Sequence, residues 1–111
     1  MLTVEKLRQF GANVDEGLQR CLNNEAFYLK LVSRFLEDKS FDKLKEEISN
    51  GNFEEAFKAS HALKGVLGNL SLTPLYEIIY ELTELLRNQT QCDYGEYIKK
   101  YEALFQNLIS L

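Results

Sequence analysis

Apolar residues in this chain recur three and four positions apart almost from end to end. No stretch alternates every second residue in the manner of a strand. That pattern confines the chain to helices. Glu, Lys, Leu, Ala and Phe fill it, and proline occurs once in 111 residues. Hydrophobic residues make up 45% of the chain, enough for one buried core without disulfide or metal. The fold class expected is all-α. It is an antiparallel up-down four-helix bundle over residues 24–111, closed by short N-terminal capping helices in residues 1–23.

Turn signals divide the pattern. A first helix is predicted over residues 3–10, ending at Gly11, and a second over 15–22. A third spans 25–38 with Phe27, Leu31, Phe35 and Tyr28 on its apolar side. Ser40 reads as the cap of a fourth, which stops at Asn50-Gly51-Asn52. Asn52-Phe53-Glu54-Glu55 has capping-box spacing and opens a fifth helix that ends near Gly68-Asn69. Thr73-Pro74 begins a sixth, threonine as N-cap and proline at the first helical position. Its inner stripe is Leu75, Ile78, Ile79, Leu82, Leu85 and Leu86. The last helix opens at Asp93-Tyr94-Gly95-Glu96 and turns Tyr97, Tyr101, Leu104, Phe105 and Leu108 inward. Short connections between such helices make neighbours antiparallel.

Charge and cysteine content exclude several function classes. The net charge is −4, and no stretch concentrates lysine and arginine, so a reader of nucleic-acid backbones is not expected. No uncharged run has the length of a membrane span, and Met1-Leu2-Thr3-Val4-Glu5-Lys6 lacks a signal peptide's basic and apolar segments. A cytoplasmic protein is expected. Cys21 and Cys92 form no C-x-x-C pair and read as reduced structural thiols. One histidine and no clustered cysteines leave no set of metal ligands. The absence of a Walker loop or a G-x-G-x-x-G leaves no device for ATP. No cofactor of its own is expected.

The fifth helix carries the candidate chemistry. At about 100° per residue, Ala56, Ala59, Leu63, Val66, Leu67 and Leu70 gather into a core stripe. Phe57, His61, Lys64, Gly65 and Gly68 gather opposite, so His61 is expected to face solvent beside an exposed Phe57. Two interior glycines forgo roughly 1 kcal/mol each relative to alanine. An exposed phenylalanine gains little in an isolated monomer. Local rules broken on one face only mark a functional surface, although the glycines would also serve merely to loosen the end of a helix. A neutral imidazole is a good nucleophile near pH 7 and accepts a phosphoryl group on nitrogen. Lys64, one turn on, would offset the charge, and Gly65 and Gly68 would let another protein's site close over the ring. Ser60, beside the histidine, joins these as a partner contact, and Tyr76 and Tyr80 border the site.

The motif His61-Ala62-Leu63-Lys64-Gly65-Val66-Leu67-Gly68-Asn69-Leu70, followed by Leu72-Thr73-Pro74-Leu75, resembles the histidine-containing phosphotransfer (HPt) domain family. Upstream, Gly11, Val14, Gly17, Leu18 and Arg20, then Asn24, Phe27 and Tyr28, resemble the segment that precedes the family's bundle. The resemblance implies a phosphoryl carrier rather than an enzyme. His61 would accept the group from the aspartate of a receiver domain, whose own Mg²⁺ supplies the catalysis, and pass it to another receiver. A hybrid histidine kinase would stand upstream. Many family members carry a glutamate or glutamine 22 positions after the histidine to orient the ring. Here that position is Thr83, whose hydroxyl would bond the ring more weakly, with Glu84 or water compensating, or which would be a surface residue without a role. Two alternatives stay open: a scaffold that kept the fold but not transfer, and the substrate domain of a chemotaxis-type histidine kinase. A monomer is expected, since a dimer burying Phe57 would compete with receiver docking.

Overall fold

Local capping chemistry starts and stops the helices where the sequence changes character. In the computed structural model, which describes residues 1–111, seven helices and no strand form: α1 (Val4–Phe10), α2 (Val14–Arg20), α3 (Glu25–Leu36), α4 (Ser40–Ser49), α5 (Phe53–Asn69), α6 (Thr73–Arg87) and α7 (Tyr94–Ile109). The Thr3 hydroxyl accepts the Lys6 N–H at 3.1 Å, and Gly11 ends α1 in the left-handed region at φ 109°. Asn24 caps α3 by accepting the Phe27 N–H at 3.1 Å, and Asp93 accepts the Gly95 N–H at 3.0 Å at the start of α7. No helix is long and apolar enough to cross a membrane.

Some sequence-derived boundaries shift by a residue or two. The second helix runs over Val14–Arg20, because Leu22 and Asn23 both adopt positive φ and turn the chain. Asn52 stands at the N-cap of α5, yet its side chain accepts nothing there. At α6 the N-cap is Leu72 rather than Thr73, and Pro74 keeps its place in the first turn. At α4 the Asp38 carboxylate accepts the Ser40 N–H at 2.6 Å, so the aspartate does the work expected of the serine.

α5 lies at the centre, packed extensively against α4 and α6, and α6 packs in turn against α7. The core draws Tyr28, Val32 and Phe35 from α3, Leu44 from α4, Leu63 and Leu67 from α5, Leu75, Ile79 and Leu82 from α6, and Tyr101 and Leu108 from α7. The inward face of α3 is therefore rotated from the expected one. Phe27 is 47% exposed and Leu31 half-buried, while Val32 is enclosed. Tyr97, Leu104 and Phe105 of α7 are also only partly covered, with Tyr94 and Ile98 taking the buried positions. Cys21 is buried, but Cys92 is exposed and so is not the structural thiol expected.

The N-terminal helices reach the far end of α5. Ser71, at φ 56°, is the middle residue of the three-residue connection from that helix to α6. Its carbonyl accepts the Asn13 N–H at 2.9 Å, the Leu70 carbonyl accepts the Tyr28 hydroxyl at 2.8 Å, and the Gly68 carbonyl accepts from Arg20. Carbonyls at this helix end and in the turn after it thus accept from α2, α3 and the α1–α2 turn. Tyr28 approaches closely because residue 17 is glycine: a Cβ there would stand 2.6 Å from the tyrosine ring.

Two outcomes follow. Gly17→Ala is expected to destabilise the fold by about 1–3 kcal/mol in urea unfolding, because the ring has to move off its carbonyl partner. Burial pushes the Tyr28 hydroxyl up to about 12, whereas an unfolded-chain tyrosine ionises near 10. The folded state's advantage is complete below pH 10 and is lost as pH rises toward 12, because the unfolded chain releases its proton first. Stability should fall over that interval, and Tyr28→Phe should flatten the slope by at most about 1.4 kcal/mol per pH unit.

Candidate functional site

The direction in which α5 turns each side chain follows from its buried stripe. Ala56, Ser60, Leu63 and Leu67 are enclosed and recur at i, i+4, i+7 and i+11. At about 100° per residue His61 and Gly65 lie on the outward side of the helix, roughly 130° and 170° from the centre of that stripe. Both are exposed. Phe57, Lys64 and Gly68 lie nearer, on the side where α6 packs, and are half-buried.

Side chains of α6 form the second wall. The His61 ring lies 5.9 Å from that of Phe57, with 24° between the planes. The Arg87 guanidinium sits 5.2 Å from the Phe57 centroid, and its Nε stands 3.5 Å from Glu84 Oε1. One helical turn beyond His61, the Lys64 ammonium lies 5.4 Å from the Tyr80 centroid. Tyr76 and Tyr80 are neighbours at 6.1 Å, and Tyr76 covers the flank of Gly68. Two cations therefore rest on aromatic faces beside an exposed imidazole. Cation–π contact holds such groups in place while leaving their N–H donors toward solvent.

The two glycines differ in role. A Cβ at Gly65 would meet nothing within 4 Å, whereas one at Gly68 would stand 3.3 Å from the Tyr76 ring. Gly68 is thus explained by close packing within the protein. Gly65 is not, and its open ground lies one turn after the histidine.

Ser60 and Thr83 depart from their expected places. Both are fully buried, and their hydroxyl oxygens lie 2.6 Å apart. The Thr83 hydroxyl donates to the Ile79 carbonyl at 2.6 Å, which uses its one proton, so Ser60 must donate to Thr83. Ser60 cannot be a partner contact, because no surface of it remains. Thr83 is neither a surface residue nor a bond to the imidazole: the pair ties α5 to α6 beneath the site. Glu84 is engaged by Arg87, so the stack on Phe57 is what touches the ring.

Two further expectations are corrected. Phe57 is half-buried rather than exposed, because Arg87 reaches across from α6 to cover it. Val66 is 42% exposed rather than part of the core. Ser60 lies on the α6 side of the buried stripe, and Val66 falls about 90° from its centre on the other side, next to Leu31 and Arg34 of α3. Arg87 was missed altogether, since nothing along the chain says that a residue 26 positions after His61 returns to its neighbour. No group of three or more His, Cys, Asp or Glu side chains is placed to hold a metal ion.

Gly65→Ala is expected to raise stability by about 0.5–1 kcal/mol in thermal or urea unfolding, and Gly68→Ala to raise it less, because the Tyr76 ring must yield. Thr83→Val should cost about 1–3 kcal/mol by leaving the buried Ser60 donor without its acceptor.

Comparison with known proteins bears on one question, the family. A family model described as Hpt domain matches residues 30–110. No curated protein and no solved structure matches the chain. The matched region contains the whole of α4–α7, with His61 and both walls of its site, and covers well over half of the sequence. The chain belongs to the Hpt domain family.

Proposed function

We propose that this protein is a phosphoryl carrier of a two-component phosphorelay, with His61 as the acceptor. The observation that carries this reading is an exposed imidazole beside the open ground of Gly65, with two cations on aromatic faces next to it. A ring nitrogen of neutral His61 attacks the phosphorus of a receiver's aspartyl phosphate. The N–P bond forms as the acyl P–O bond breaks, and the carboxylate leaves. The proton on the other ring nitrogen is free to pass to water. Lys64 and Arg87 offset charge on the phosphoryl oxygens. Catalysis, with its Mg²⁺, belongs to the receiver, and reversal toward a second receiver completes the relay. Upstream partners of this kind are hybrid histidine kinases.

The finer architecture belongs to the same proposal. We read residues 24–111 as an antiparallel up-down bundle and residues 1–23 as its cap, supported by the three-residue connection from α5 to α6 and the six-residue one from α6 to α7. A cytoplasmic monomer suits the exchange of partners over one exposed face, and sedimentation velocity showing a concentration-independent dimer would contradict it.

The test is transfer from a phosphorylated receiver domain. Wild type should acquire acid-labile, alkali-stable label, and His61→Gln none. Lys64→Ala and Arg87→Ala should each slow transfer about tenfold while leaving the helical circular-dichroism spectrum unchanged. The absence of a hydrogen-bonded group orienting the His61 ring favours a scaffold as the second reading. A folded protein that takes no label from any receiver would bear that out. Label acquired only from a kinase's ATP-binding domain would assign the chain as a kinase substrate domain instead.

A further inference from the structure

Where α4 faces α7 the backbones stay apart and side chains cross the gap. Phe41 of α4 stacks on Tyr101 of α7 with 4.0 Å between ring centroids. Tyr101 lies over Phe105 at 6.0 Å, and Phe105 meets Phe35 edge-on, also at 6.0 Å. These rings do not close the seam. They leave a cavity of about 430 Å³ that reaches Leu63 on the inner side of α5, a size typical of small-molecule sites between helices.

The charge around this cavity is nearly all of one sign. Glu37, Asp38, Asp42 and Glu102 line it, against the one ammonium of Lys39. Glu102 is paired with Lys45 at 3.0 Å, and one Asp38 oxygen accepts the Ser40 N–H. Glu37, Asp42 and the second Asp38 oxygen have no protein partner.

Tyr101 supplies an independent observation. It is 1% exposed, it lines the cavity, and its hydroxyl bonds to no protein group. No fully enclosed polar side-chain atom in the molecule lacks a partner, so the accessible sliver of Tyr101 includes its hydroxyl. Burial and the neighbouring Asp38 carboxylate push its ionisation upward, which keeps the group neutral. A nearly buried hydroxyl without a protein partner, on a residue that lines a cavity, leaves a polar contact open to a ligand.

We propose that this cavity binds a small organic ammonium ion, its hydrocarbon part against Phe41 and Phe105 and its N–H donors shared between the Tyr101 oxygen and the carboxylates of Asp38 and Asp42. Aromatic faces attract a cation, and carboxylates accept charge-assisted bonds from it. An anion would face unpaired carboxylates. An uncharged apolar ligand would bury the tyrosine hydroxyl against hydrocarbon. The site lies behind α5, on the side away from His61, and does not depend on the phosphorelay reading.

The test is titration of the full chain with n-butylammonium chloride, followed by NMR of the Phe41, Tyr101 and Phe105 ring resonances at constant ionic strength. Butyrate and 1-butanol serve as anionic and neutral probes of the same length. Saturable shifts confined to these rings, produced by butylammonium alone, are expected, with millimolar affinity because so small a probe offers few contacts. Asp38→Asn with Asp42→Asn should weaken binding about tenfold. Tyr101→Phe, which loses no protein hydrogen bond and should fold, should weaken it severalfold. Shifts that never saturate, an equal response to 1-butanol, or binding untouched by the carboxylate changes would each overturn the proposal. So would a response to a lysine-rich peptide in the absence of any to butylammonium, which would assign the cavity to a protein partner.

Discussion

The end of α5 is held by groups that come from far away in sequence. Arg20, Tyr28 and Asn13 donate to the carbonyls of Gly68, Leu70 and Ser71, at the point where the chain leaves one helix for the next. A helix end without such partners frays, because its last carbonyls have only water to accept from. Here that end is two turns from His61 on the same helix. Fixing it fixes where α6 begins, and α6 brings Tyr80, Glu84 and Arg87 to the histidine. Gly17 belongs to this constraint, since without its missing side chain Tyr28 would not reach its carbonyl.

With α5 anchored, its two sides diverge in character. One is closed by leucines and by a hydroxyl pair between Ser60 and Thr83 that locks α5 to α6. Fully satisfied polar pairs of this kind specify one packing arrangement among several that apolar contact alone would allow. The other side is open at Gly65, with Lys64 and Arg87 resting on rings rather than buried in strong ion pairs. A cation on an aromatic face in partial solvent keeps its donors available at modest energetic cost. Such a surface suits a group that arrives, is held briefly, and leaves.

Much of this was legible along the chain, for reasons particular residues illustrate. Gly11, Gly51 and Pro74 mark helix ends through local chemistry, and the structure uses them there or within a residue or two. His61 and Gly65 fall on the side away from the leucine stripe because helical periodicity is a local property. Val66 and Phe27 were misplaced for one reason: apolar character alone does not say which part of a wide stripe the neighbouring helices will cover. Ser60 shows the converse, a polar residue on the buried face because Thr83 meets it there.

The sequence by itself determined that the chain is helical, roughly where each helix begins and ends, and that a lone histidine stands on the less apolar side of one of them. These follow from hydrogen bonds and contacts within four residues of one another. The tertiary structure decided what surrounds that histidine. Whether Thr83 faces the imidazole or the core, whether Phe57 is bare or covered by Arg87, and whether Arg20 reaches the end of α5 depend on the rotation and register of one helix against another. Those are set by contacts between residues twenty to fifty positions apart, which the order of residues along the chain does not encode locally.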